Sequence, residues 1–185
     1  MGESIIQGTC DHRFAAVRDA FAENFASGLE LGAGLSVSID GHNVVDLWGG
    51  WLDEAQTRPW ERDSLACIFS CTKGVVAVVA LMLADAGRLD LDAPVARYWP
   101  EFAQNGKADI PVRWLLTHEA GVSAIEDKLA FGSLSDWTLM TDALAAQRPM
   151  WIPGSGHGYH GVTYGHLVGE VIRRITGLKL GEFFA

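Results

Sequence analysis

Basic residues are in short supply in this chain. Fourteen Lys and Arg stand against 23 Asp and Glu, the formal net charge is −9, and nowhere do the basic residues cluster. That balance argues against electrostatic attachment to nucleic acid or to an anionic membrane, since both need concentrated positive charge. Long apolar runs are lacking as well, and none reaches the roughly 20 residues that cross a bilayer. Residues 1–10 carry no basic stretch followed by an apolar one, the pattern of a secretory leader, so a cytoplasmic protein is expected. Three cysteines, an odd number, make no disulfide framework, and the step from Cys67 to Cys71 is one helical turn rather than a metal-ligand spacing. There is no G-x-S-x-G elbow, which argues against the α/β-hydrolase route to serine chemistry. Internal repeats and low-complexity segments are also absent.

What remains is a globular composition. With 185 residues, 49% of them apolar and including seven Trp and eight Phe, the chain can build a substantial core. Asp11 is a plausible cap for a helix running to about Ser27, because Phe14, Val17, Phe21 and Phe25 recur at spacings of three and four. From Leu35 the period becomes two: Leu35, Val37 and Ile39 alternate with polar residues, a turn follows at residues 40–43, and Val44 to Trp48 returns as a hairpin partner. Residues 53–63 read as a connection. Beyond residue 66 the pattern predicts helices and loops: an all-round apolar core helix ended by Gly87, a short helix from Leu89 to Trp99, another from Pro111 to Leu116, one capped by Ser135, and an amphipathic one opened by Thr163 and ended by Gly177. Gly74 weakens the first of these by about 1 kcal/mol relative to Ala, which suggests a close approach to its backbone.

The chemistry concentrates at Phe69-Ser70-Cys71-Thr72-Lys73, where that apolar helix begins. Residues three apart share a helix face, so Ser70 and Lys73 point side by side, a hydroxyl next to a potential base. A helix start adds free N–H groups and a dipole that favour developing negative charge. The same spacing also arises by chance, so its neighbourhood matters. Cys71 turns about 100° away from Ser70 and reads as a packed thiol.

The loop 151–161 holds several patterns. Gly156-x-Gly158-x-x-Gly161 matches the dinucleotide fingerprint in letters, but Trp151-Ile152-Pro153-Gly154 precedes it where a strand is required. His157, His160 and His166 have no zinc-like spacing and read as solvated or hydrogen-bonded loop histidines, and His118-Glu119 is half of a zinc-protease motif. Tyr159 is the residue of interest: a phenol can relay the serine's proton if a cation such as Lys73 lowers its pKa, or it can simply pack on the loop.

Taken together, these pieces resemble the serine β-lactamase and DD-peptidase superfamily, in the class C-like branch that includes family VIII carboxylesterases. The resemblance is carried by Phe69 to Lys73 and the apolar helix, by Gly87-Arg88-Leu89-Asp90-Leu91-Asp92-Ala93-Pro94-Val95, by Leu115-Leu116-Thr117-His118-Glu119-Ala120-Gly121, by Pro153-Gly154, by Tyr159 and by Tyr164-Gly165. It implies an α/β (α+β) architecture of β-lactamase/transpeptidase type, an antiparallel sheet flanked by helices plus a helical domain. Residues 1–66 would form the first helix and hairpin of the α/β domain, and residues 67–185 the nucleophile helix and helical domain. It also implies Ser70 as the acylated nucleophile, Lys73 as its partner and Tyr159 as the relay, with no metal or organic cofactor.

Two departures shape the expected function. The family's Tyr-x-Asn motif reads Tyr159-His160-Gly161 here, which removes an amide suited to amide-bearing substrates and, with no export signal, favours carboxylic esters. A β-lactamase or D-amino-acid peptidase is the alternative, and a catalytically silent binding or assembly protein the alternative of another class. The strands that carry the family's third motif and one oxyanion-hole N–H are missing, so the N-terminal part of a longer protein is expected. The apolar faces of the hairpin and first helix should then lack partners and leave an exposed hydrophobic patch. A small-molecule ester is the expected partner, with neither nucleic acid nor membrane.

Overall fold

The computed structural model describes residues 6–185; residues 1–5, where half of the stretch read for a leader falls, lie outside the described residues. The chain divides into two compact units, the first ending at Cys67 and the second running from Ile68 to Ala185.

In the first unit, Asp40 and Gly41 both adopt positive φ, 50° and 77°. That is the geometry of a tight two-residue hairpin turn, and it joins β2 (Gly32–Ile39) to β3 (His42–Gly50). The register pairs Leu35 with Leu47 and Val37 with Val45, so the alternating apolar residues share a face. Asp11 accepts a hydrogen bond from Arg13 N at 2.9 Å and caps a single 3₁₀ turn that leads into α1 (Ala15–Ala26). Phe21 of α1 is buried with Val45 and Leu47, and Phe14, Phe25, Leu35 and Val37 pack around them. The faces expected to lack partners therefore cover one another in part within this unit, while Val17 and Ile39 stay exposed.

A third strand, β1 (Ile6–Cys10), pairs antiparallel with the other side of β3 and completes the order β1-β3-β2. Its sequence, Ile-Gln-Gly-Thr-Cys, shows no apolar alternation, and Gly8 sits at φ 105° where a Cβ would lie 2.0 Å from the Asp46 carbonyl oxygen. Glycine here permits the strands to approach.

The second unit is helical. Its core joins one face of α2 (Thr72–Asp85), namely Val76, Val79, Ala80 and Leu83, to Leu167, Val168, Val171 and Ile172 of α5 (Thr163–Thr176). Leu115 of α3 (Val112–Leu116), Leu144 of α4 (Trp137–Ala146), Trp99 and Phe102 complete it, and α6 (Leu180–Phe184) packs against α5. Left-handed Gly87 and Gly177 follow α2 and α5, where the sequence calls for them.

Five expectations for this unit need correction. The apolar helix α2 is buried on one side only, with Val78, Leu81 and Met82 each more than half exposed. Among the described residues, the helix's own backbone aside, nothing lies within 4 Å of a Cβ built on Gly74, so no close approach there accounts for it. Residues 89–99 form no α-helix: Asp90 accepts from Asp92 N at 2.9 Å, Pro94 is extended and bridges Pro111, and only Val95–Arg97 makes a 3₁₀ turn. The cap of α4 is Asp136, which accepts from Leu139 N at 3.0 Å, rather than Ser135. Cys71 is exposed, not packed. No helix among the described residues is long and apolar enough to cross a membrane.

Two buried charges tie the helices together. Lys107 Nζ donates to the carbonyls of Gln104, Ala145 and Gln147 at 3.0, 2.9 and 2.6 Å, which satisfies the end of α4, and burial pushes its pKa down to about 8. Glu170 accepts at 2.7 Å from the indole of Trp137 and from both Arg173 and Arg174. Burial works to raise the Glu170 pKa, and these donors overcome it and hold it down to about 2.

Candidate active site

Ser70 sits in the 3₁₀ turn Phe69–Cys71 that runs directly into α2. Phe69, just before it, has φ 42°, a sparsely populated conformation for a bulky residue that costs on the order of 1–3 kcal/mol. This bend presents the serine hydroxyl at the exposed start of the helix. One turn on, Lys73 Nζ donates to Ser70 Oγ at 3.1 Å and to the Gly161 carbonyl at 2.7 Å. Tyr164 of α5 anchors the same turn by donating its hydroxyl to the Lys73 carbonyl at 3.3 Å.

Tyr159 arrives from far along the chain, and its hydroxyl donates to Ser70 Oγ at 2.5 Å. Lys73 Nζ lies 4.9 Å from the centre of its ring. The hydrogen bond to Ser70 and the nearby Lys73 both hold the Tyr159 pKa below the ordinary phenol value. The sequence-predicted trio thus shares one site, and the serine oxygen receives hydrogen bonds from both partners.

Of the three histidines, His157 is exposed in the loop and His160 is hydrogen-bonded there, as the sequence suggests, while His166 departs from the reading. His160 is fully buried; its Nε2 accepts from Val122 N at 3.1 Å, so its proton sits on Nδ1, which donates to the Gly158 carbonyl at 2.7 Å. Burial lowers its pKa, against the hydrogen bond to Gly158, which works to raise it. His166 lies on α5 rather than in the loop, where Nε2 donates to the Leu134 carbonyl at 3.2 Å. His118, read from sequence only as part of a motif, has φ 66° and lies against Tyr159 and Tyr164, with ring centres 5.2 Å away in each case. The sole sequence signal for it is its place in Thr117 to Gly121. Beside Gly161, Ser123, Ile125, Leu134, Met140 and Val162 help to line a mainly apolar cavity of about 360 Å³.

A helix-start serine met by a lysine one turn on and by a distant tyrosine defines a class, and the comparisons with known proteins agree. The Beta-lactamase family model matches residues 17–185, and the chain belongs to that family. Among curated proteins it is 43% identical to the esterase/beta-lactamase LipL of Mycobacterium tuberculosis, over 96% of this chain and 41% of that protein. Among solved structures, a family VIII carboxylesterase superposes with a TM-score of 0.89 at 48% identity, over 97% of this chain and 49% of that one. A penicillin-binding protein homolog from Caulobacter crescentus superposes at 0.91 with 46% identity, over 96% and 48%. The fold is therefore of the β-lactamase/transpeptidase type, and the chain spans about half the length of these relatives.

Proposed function

We propose that this chain carries the nucleophile, base and proton relay of a serine hydrolase acting on carboxylic esters. Ser70 Oγ attacks the ester carbonyl while its proton passes to Tyr159, whose phenolate is made accessible by Lys73. The tetrahedral intermediate collapses as the relay protonates the departing alkoxide, and water then releases the acyl group by the reverse proton path. The N–H of Ser70, at the helix start, offers one donor to the oxyanion.

The observation that carries this reading is the meeting of Tyr159 and Lys73 on one exposed hydroxyl, at 2.5 and 3.1 Å. The relatives named esterase and carboxylesterase support the substrate class. So does Gly161, which has no side-chain amide to offer a lactam and whose carbonyl is already engaged by Lys73. The adjoining apolar cavity suits a short acyl chain.

Turnover of nitrophenyl butyrate measured beside that of nitrocefin tests the assignment. The ester is expected to be the faster substrate; a higher kcat/KM for nitrocefin would reassign the site to β-lactam hydrolysis.

A further inference from the structure

Tyr159 is held in place from both sides by one residue. Gly158 N donates to the His118 carbonyl at 3.1 Å, and His160 N donates to His118 Nδ1, also at 3.1 Å. The residues before and after the relay tyrosine therefore both hang on His118, 42 positions from His160 in sequence. The positive φ of His118 turns its carbonyl and its ring toward the same loop.

From this two-point clamp we infer that His118 is a positioning residue that sets the Tyr159 hydroxyl against Ser70, and that it does so only while its imidazole is neutral. The inference rests on the serine-hydrolase reading of the site. Its chemistry is simple: Nδ1 must present a lone pair to the His160 N–H, and a protonated imidazole has none. Protonation turns the acceptor into a donor facing a donor, and half of the clamp opens. A shift of about 1 Å at a reacting group is enough to cost on the order of 10²-fold in rate.

The surroundings keep His118 neutral. Burial, His157 and Lys73 all lower its pKa below the ordinary 6.5. The groups facing its ring are His157 at 5.7 Å, His160 at 5.5 Å, and the phenols of Tyr159 and Tyr164. Glu119, the next residue, accepts from Thr117 Oγ1 at 2.5 Å. Because the pKa is depressed, the clamp is still intact at pH 6.5 and opens as pH falls through the lowered value beneath it.

The test measures Ser70 acylation by a fluorophosphonate from about pH 5 to 9 in the wild type, His118→Asn and His118→Leu, together with NMR titration of the His160 amide. Asn tolerates positive φ and offers an oxygen near the position of Nδ1, without a titrating proton. In the wild type the fall of log rate with pH should steepen below pH 6.5, and the His160 amide should shift with the same pKa as the His118 ring. His118→Asn should lose both the steepening and the amide step while staying within about tenfold of the wild-type rate at about pH 8, and His118→Leu should lose on the order of 10²-fold at every pH. A His160 amide indifferent to His118 titration overturns the inference, as does a Leu variant acylated at the wild-type rate. A wild type that forms no adduct would sink the hydrolase reading, and the amide titration would still decide whether the clamp exists.

Discussion

Tyr159→Phe is expected to slow acylation of Ser70 by on the order of 10³-fold while leaving the fold intact. The phenol is more than half exposed, and its hydroxyl donates to Ser70 Oγ at 2.5 Å, so deleting one oxygen removes no core contact. What should disappear, on the proposed mechanism, is the path for the serine's proton. Lys73 still donates to Ser70 at 3.1 Å in such a variant, and its charge remains, so a residual rate carried by the lysine is expected. The pH profile should change with it. In the wild type the rate should rise toward a limb below 10.0, the ordinary value for tyrosine, because Ser70 and Lys73 lower the phenol's pKa. That limb should be absent from the variant. A stopped-flow burst with a nitrophenyl ester measures both, and a Phe variant within about threefold of the wild type would remove Tyr159 from the proton path.

The second large effect concerns stability. Glu170→Gln should destabilise the helical unit by about 3 kcal/mol, because it removes the buried carboxylate that serves as counter-charge to Arg173 and Arg174. Only 1% of the Glu170 side chain is exposed, and Trp137, Arg173 and Arg174 all converge on it. For a chain of this size that corresponds to roughly 10 °C in Tm. The folded-state pKa is depressed from 4.5 to about 2, so the ionised carboxylate contributes fully above pH 4.5 and its contribution is lost as pH falls toward 2. Thermal melts of wild type and variant should converge over that window. The exposed pair Arg97–Asp90, 3.6 Å apart, provides the contrast: Arg97→Gln should change stability by less than about 0.5 kcal/mol.

Much of this site is legible in the amino-acid sequence, for physical reasons. Ser70 and Lys73 meet through helix periodicity alone, so a spacing of three suffices. Tyr159 lies 89 residues from Ser70, and no local rule brings them together; only its loop and the family pattern point to it. His118 is illegible as a clamp because what it grips is backbone, and the sequence does not record where N–H groups point. The strand β1 is silent in the sequence since Gly8 breaks its alternation and pairing with β3 supplies the order that side chains do not. In α2 the composition is apolar all round, yet burial follows the neighbours, and among the described residues the buried side is the one that packs with α5. Asp90, Asp92 and Pro94 turn an expected helix into a bridged loop by satisfying the backbone locally.

Intact-mass spectrometry after exposure to a fluorophosphonate, on wild type and on Ser70→Ala, addresses the central claim most directly. One covalent adduct on the wild type and none on the alanine variant is the predicted result, with Oγ bonded to phosphorus and fluoride released. An adduct of equal yield on both proteins, or on neither, would contradict the account of Ser70 as the activated nucleophile.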